Sequence, residues 1–226
     1  MGGLPNPAPA AHIPAMHRRI LLAGLALLAL PAAGPAFTPT PQDRADLARI
    51  EAYLNGVHSL KARFLQIAPD GSTSQGTAWL ERPGRMRFQY DPPSPLLLVA
   101  GHGLVVFHDA ELQQTSNIPI GSTPLGILLA ADIRLSGPVS VTDVQRRPGE
   151  IALTLVRTAS PEEGSLTLVF SDGPLLLRSW TVVDAQRQAT RVSLFDVQLG
   201  GDFPDKLFEF IDPRFYQQSN PLNGGG

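Results

Sequence analysis

The chain has 226 residues, 43% of them hydrophobic, with 18 basic against 20 acidic side chains and no cysteine. That length limits it to one or two domains of about 100 to 200 residues each, and one is expected. A formal charge of −2 carries no general attraction for nucleic acid or anionic lipid, and the missing cysteine excludes disulfides, thiolate metal sites, a cysteine nucleophile and a lipid-modified N-terminal cysteine.

Near the start, Met16-His17-Arg18-Arg19 precedes the apolar run Ile20 to Leu30 and then Pro31-Ala32-Ala33-Gly34-Pro35-Ala36. A basic start, an apolar middle and a small-residue exit read as a secretory signal peptide. The run falls short of the roughly 20 residues a membrane-spanning helix needs. Residues 1–36 are therefore expected to be leader and signal, with the true start at Met16 and cleavage after Ala36. Their removal leaves 16 basic against 20 acidic residues, a charge of −4. Residues 37–214 then form one domain, and 215–226 a flexible tail. An exported, soluble product follows.

Within the domain, Thr40-Pro41-Gln42-Asp43 reads as a helix start: Thr40 caps, Pro41 suits the first turn, and Asp43 and Asp46 favour the positive end of the dipole. Leu47, Ile50, Leu54 and Val57 recur at helical spacing, and Asn55-Gly56 is a stop. From Ser59 the pattern changes to short β-branched and aromatic runs divided by Gly, Pro, Asp and Asn. Strands are predicted near Leu60–Ile67, Gln75–Glu81, Arg85–Tyr90, Leu96–Ala100, Leu104–Asp109, Leu112–Thr115, Val139–Arg147, Ile151–Val156, Ser165–Phe170, Leu176–Val183 and Thr190–Leu199. Turns are expected at Arg147-Pro148-Gly149-Glu150, Ser171-Asp172-Gly173-Pro174 and Asp184-Ala185-Gln186-Arg187. With no βαβ rhythm, these strands argue for one antiparallel sheet. Ser122-Thr123-Pro124 starts a second helix, Leu125 to Ala131, apolar nearly all round and therefore buried or facing something greasy. Phe203 to Phe210 is a third short segment, expected to lie back against the sheet.

Several strands are apolar on both faces. Leu60, Ala62 and Phe64 oppose Leu65 and Ile67; Val105 and Phe107 oppose Leu104 and Val106; Ile151, Leu153 and Leu155 oppose Ala152 and Val156. A sheet with one wet face alternates. Two architectures satisfy the excess: a closed barrel or sandwich capped by helices, or a curved sheet whose concave face lines an apolar cavity under a helical lid. In the second, an acyl chain would contribute about 0.8 kcal/mol per buried methylene.

The stretch Gly76-Thr77-Ala78-Trp79-Leu80-Glu81-Arg82-Pro83-Gly84-Arg85-Met86-Arg87-Phe88 resembles the G-x-W-x-[KR]-R-P-x-x-[FM]-x-[WF] pattern of the periplasmic lipoprotein carriers of the LolA family. Phe64-Leu65-Gln66, the proline-bearing link 91–99, Thr123-Pro124-Leu125 and the closing Phe208, Phe210, Pro213 resemble further family motifs in the same order, so that the resemblance spans 43–213. It implies a mainly β fold with short helices (α+β), an open, curved antiparallel half-barrel with a helical lid over an apolar cavity. It implies a monomeric, non-enzymatic, cofactor-free carrier of acylated lipoproteins between an inner-membrane lipoprotein-releasing ABC transporter and the outer membrane, where a receptor is a further partner. Arg82 matches the arginine that holds the lid and couples closure to ligand release. Phe64, Trp79, Met86, Phe88, Leu125, Leu128 and Leu129 are the implied cavity and lid residues. Met86 stands where an aromatic is usual, Leu125 where phenylalanine is common, and Glu81 where a basic residue precedes the arginine, which makes Glu81 a candidate partner for Arg82. A related reading is a lipoprotein-sensing module in envelope stress regulation, built on the same sheet.

Other constellations carry less. His58, His102 and His108 lack metal-pair spacing. His108 with Ser116 suggests a hydrolase only on paper, since no nucleophile elbow is present. Glu162-Glu163-Gly164 reads as a charged turn. Trp79, Phe88 and Tyr90 lack the basic face that a nucleic-acid platform requires.

Overall fold

A computed structural model describes residues 37–212. The expected signal peptide and its cleavage site, the tail 215–226 and Pro213 of the closing motif lie outside the described residues.

The chain begins with α1 (Pro41–Gly56) and continues through β1 (Ser59–Ile67), β2 (Thr73–Glu81), β3 (Arg85–Tyr90), β4 (Leu96–Gly101), β5 (Leu104–Asp109) and β6 (Gln114–Pro119). A 3-10 turn (Ile120–Ser122) leads into the four-residue α2 (Leu125–Leu128). Then come β7 (Val139–Arg147), β8 (Glu150–Arg157), a 3-10 turn (Pro161–Glu163), β9 (Gly164–Asp172), β10 (Leu175–Asp184), β11 (Ala189–Leu199) and a last 3-10 turn (Asp205–Phe208). All eleven strands form one antiparallel sheet ordered β6-β5-β4-β3-β2-β1-β11-β10-β9-β8-β7. Because β6 and β7 stand at opposite edges and do not pair, the sheet is open, and the closed-barrel alternative falls.

Hairpin connections dictate this order. Each strand pairs with the next in sequence except across the link from β6 to β7, where α2 and the loop after it intervene; β1 and β11, the ends of the sheet-forming sequence, join in the middle. The three predicted turns stand at β7–β8, β9–β10 and β10–β11.

One face holds the core. Leu60, Ala62 and Phe64 of β1, Ala78 and Leu80 of β2, Met86, Phe88 and Tyr90 of β3, and Ile151, Leu153 and Leu155 of β8 are all buried there with Ile50 and Leu54 of α1. The second apolar face of β3–β5 has its own cover, the segment 203–212. Phe208 is buried, Arg87 Nη1 donates to Leu207 O at 3.2 Å, and Arg85 Nη1 meets Asp205 Oδ1 at 2.6 Å. Gly101 provides the room, since a Cβ there would lie 2.6 Å from Phe208 O. His108 of β5 meets this strap, with its ring 5.0 Å from that of Phe210 and its Nδ1 3.0 Å from Thr115 Oγ1 of β6. The two-sided apolar pattern of these strands thus records two separate covers, the core on one face and the C-terminal strap on the other.

Two predicted elements differ. The strand expected at Leu112–Thr115 runs instead from Gln114 to Pro119, because Asp109 Oδ1 accepts the amides of Glu111 and Leu112 and Gln113 takes φ +52°, which holds residues 110–113 in a turn. The helix expected over Leu125–Ala131 stops at Leu128: the carbonyls of Leu129 and Ala130 bond to Gly84 N and Arg82 instead of continuing it.

The start of α1 forms as its sequence indicates. Thr40 Oγ1 accepts from Asp43 N at 3.1 Å while Asp43 Oδ2 accepts from Thr40 N at 2.7 Å, a reciprocal capping box. Arg146 of β7 binds Asp43 and Asp46, both at 2.7 Å. The Thr40 hydrogen bonds first, and then Arg146, lower the Asp43 carboxyl from its usual 3.8 to about 2. A group depressed in the folded state contributes stability above its unfolded value, and that stability is lost as pH falls through the folded one. The difference in thermal midpoint between the native chain and Asp43→Asn is therefore expected to be full above about pH 5 and to vanish toward pH 2. A difference independent of pH would show that this carboxylate does not anchor α1.

Candidate functional site

The concave face, α1 and the chain from Ile120 to Leu135 build the site. Arg82 closes β2 and turns its guanidinium under the end of α1. Nε donates to Val57 O at 2.9 Å, Nη2 to Leu54 O at 2.5 Å and Nη1 to Ala130 O at 3.2 Å. One fork therefore ties α1 to the segment after α2. The turn around it adds backbone bonds, Arg82 N to His58 O at 2.8 Å and Gly84 N to Leu129 O at 2.9 Å. Burial pushes the guanidinium's proton affinity down, opposed by the charge of Asp132. Glu81 is not a partner of Arg82; it binds Arg85 Nη1 at 3.0 Å, because cross-strand register sets Glu81 opposite Arg85.

Sequence reading missed the residues that join the two halves of this lid. Asn55, taken as a helix stop, brackets Ile133 with Nδ2 to O at 2.8 Å and Oδ1 from N at 2.9 Å. Glu51 Oε2 accepts from Leu135 N at 2.7 Å. Both reach about 80 residues along the chain, which no local signal announces. On the other side Tyr53 stacks edge-on against Phe170 at 5.9 Å, and its hydroxyl accepts from Leu177 N. Beneath the lid, Leu54, Leu80, Arg82, Leu128 and Ile133 surround a void of only about 20 Å³, about one water's worth of space.

Beside the lid a far larger cleft opens, about 720 Å³. This falls in the range typical of ligand pockets. Its apolar walls are Met86, Phe88, Leu98, Val105 and Phe107 from β3–β5 and Trp180, Val182 and Val192 from β10–β11; Thr123, Pro124 and Leu125 form its lid side. Gln66, Glu163, Asp184, Gln186 and Gln188 are its polar lining residues. The site has the anatomy of a binder of apolar chains: a greasy trough, a few polar groups, and an adjoining lid held both by hydrogen bonds and by the buried side chains Ile127, Leu128, Leu129 and Ile133.

The expected residues divide accordingly. Met86, Phe88 and Leu125 line the cleft, and Leu128 borders the small void with Arg82. Phe64 and Leu129 are buried in the core cluster. Trp79 stands elsewhere. Its neighbours Ala78 and Leu80 point to the core, whereas Trp79 shares the opposite face with Lys61 and Arg87, and Lys61 Nζ lies 5.8 Å from its ring centre. A residue one step along a strand changes face, so Trp79 is removed from the cavity list. The same rule separates His108, opposite Thr115, from Ser116, opposite Phe107. Among the described residues no three His, Asp or Glu side chains gather as metal ligands would, and no helix is long and apolar enough to cross a membrane.

The chain is also similar to known proteins. The family model described as outer membrane lipoprotein carrier protein LolA matches residues 55–211. An outer-membrane lipoprotein carrier protein from Methylococcus capsulatus is 30% identical over 77% of this chain and 85% of its own length. One from Azotobacter vinelandii is 27% identical over 83% of this chain and 94% of its own length. Among solved structures, a LolA superfamily protein from Nitrosomonas europaea has a TM-score of 0.41 at 10% identity, covering 73% of this chain and 97% of that one.

Proposed function

The chain belongs to the LolA family of outer membrane lipoprotein carriers, and from that premise we propose that it carries acylated lipoproteins across the periplasm, shielding their acyl chains in the cleft beside the lid. The observation that supports this most directly is the 720 Å³ apolar trough flanked by a segment whose Ala130 carbonyl Arg82 holds. Each buried methylene is worth about 0.8 kcal/mol, so a long acyl chain gains on the order of 10 kcal/mol before ordering costs. Such a ligand needs help to leave. Closure supplies it: with the lid down, Arg82 regains its three carbonyl partners and the acyl chains lose space, so the energy of closing is coupled to release. No bond is made or broken, and the protein acts without catalysis.

In this reading cargo arrives from an inner-membrane lipoprotein-releasing ABC transporter and passes to the outer membrane, directly or through a receptor. Purified protein lacking residues 1–36, mixed with an acylated lipoprotein, is expected to yield a soluble one-to-one complex on gel filtration. The same lipoprotein stripped of its acyl chains is expected to give none, and equal recovery of both would sink the proposal. Leu98→Glu, which places a charge in the trough, is expected to weaken capture by about tenfold or more while leaving the fold intact, since the position is only half-buried. Undiminished capture would move the acyl site elsewhere.

A further inference from the structure

Arg82 reaches only the Ala130 end of the lid segment. The Thr123 end, which borders the large cleft, has its own arginine. Arg157 closes β8 and Glu163 ends the short 3-10 turn before β9. Arg157 Nη2 donates to Thr123 O at 3.1 Å. The guanidinium sits tightly against the first turn of α2, because a Cβ on Gly126 would lie 2.7 Å from that same Nη2. Behind it, Arg157 Nε faces Glu163 Oε2 at 3.5 Å. Both atoms are buried and neither makes a hydrogen bond. Glu163 also lines the cleft, beside Ser122, Thr123 and Pro124.

We propose that Arg157 is a second latch, holding the Thr123 end of the lid, and that Glu163 is the alternative partner that receives its guanidinium when this end lifts. The proposal rests on the carrier reading for its purpose, the admission of acyl chains, but its geometry is independent of cargo. In the closed state Arg157 spends a donor on the Thr123 carbonyl, and the ion pair behind it stays under-bonded. A buried charged atom without a hydrogen bond is unfavourable. When Thr123 moves away, the fork turns onto the carboxylate and forms a charge-assisted bond, the stronger kind. One good contact replaces another, so opening at this end is nearly balanced. Arg82, whose hydrogen-bond acceptors are all carbonyls, holds the other end more one-sidedly. The lid therefore lifts first at the end that borders the cleft.

The test is amide hydrogen exchange on the full mature chain. Two reporters separate the two ends: Gly126 N, bonded to Thr123 O, and Gly84 N, bonded to Leu129 O. Arg157→Leu is expected to speed exchange at Gly126 by about tenfold, as loss of a hydrogen bond to a charged group implies, with Gly84 little changed. Glu163→Gln is expected to act with the opposite sign, slowing exchange at Gly126, because it removes the open state's partner and an unsatisfied charge from the closed state. A merely structural pair would loosen the segment in both variants. Faster exchange in Glu163→Gln, or equal changes at Gly84 and Gly126, overturns the proposal. Arg157→Lys, which keeps the charge and loses the fork, is expected to fall between wild type and Arg157→Leu, and it decides the matter should the leucine variant fail to fold. Uptake of a fluorescent long-chain fatty acid by the unmodified protein tests the carrier reading by itself. Its absence would overturn that reading while the exchange signs still decide the latch.

Discussion

Arg82→Leu is expected to leave capture of acylated lipoprotein intact and to slow its release to an acceptor membrane by about 10- to 100-fold. The guanidinium donates to Leu54 O and Val57 O at the end of α1 and to Ala130 O in the segment after α2, so the three bonds together bridge the two. Hydrogen bonds from a charged donor are worth about 1.5 to 3 kcal/mol each, and partial exposure of the side chain, which screens its charge, lowers the sum. A net loss of about 1.5 to 3 kcal/mol from the closed state corresponds to the stated range. The sign follows from which state is lost: with closure weakened, bound acyl chains meet less competition and stay. Single-turnover transfer from the preloaded variant to outer-membrane vesicles measures the effect. Transfer at the native rate would reduce Arg82 to a structural role. Arg82→Lys is expected to lie between the two, because one ammonium cannot reproduce a planar fork that meets three carbonyls.

The second large effect is on stability. Phe64→Ala is expected to cost about 3 to 5 kcal/mol, a large share of the 5 to 15 kcal/mol that holds a typical domain. Phe64 is fully buried, with the rings of Phe88 and Tyr90 at 4.6 and 5.2 Å. Gly76 lies opposite it on β2, and a Cβ there would stand 2.1 Å from Gln89 O and 2.7 Å from the Phe64 ring. Gly76→Ala is therefore expected to destabilise as well, by about 1 to 3 kcal/mol. Trimming the ring with Phe64→Leu is expected not to rescue it, since the nearer obstacle is a backbone carbonyl fixed in the β2–β3 ladder. Urea midpoints of the four proteins decide this. Full rescue would place the constraint in the ring instead.

These two residues show how unevenly the sequence disclosed the site. The glycine and arginine of the β2–β3 stretch were legible because a motif marked them, and the register that puts Glu81 opposite Arg85 explains why the doubtful neighbour does not interfere. The capping box at Thr40 and Asp43 was legible because both partners lie within one turn. Trp79 was misplaced, because motif membership does not say which face of a strand a residue occupies and only the burial of Ala78 and Leu80 does. The roles of Arg157, Asn55 and Glu51 carried no signal, since each acts on a backbone group brought near by the fold, and Glu163 faces a guanidinium that the fold brings to it. An arginine at a strand end or an asparagine at a helix end looks the same whether it meets water or a distant carbonyl.

By itself the sequence determined the class of the molecule. Alternating apolar runs with tight turns dictate antiparallel strands, and the absence of βαβ units dictates one meandering sheet. Apolar residues on both faces require two covers, whatever those covers are. The tertiary structure decided the rest: that the sheet stays open, that the C-terminal strap covers one face, and that α1 with the Ile120–Leu135 segment covers part of the other and leaves a cleft beside it. The reason is physical. Periodicity reports which surfaces must leave water, whereas the identity of the partner surface depends on contacts between residues far apart in sequence, and those exist only once the chain has folded.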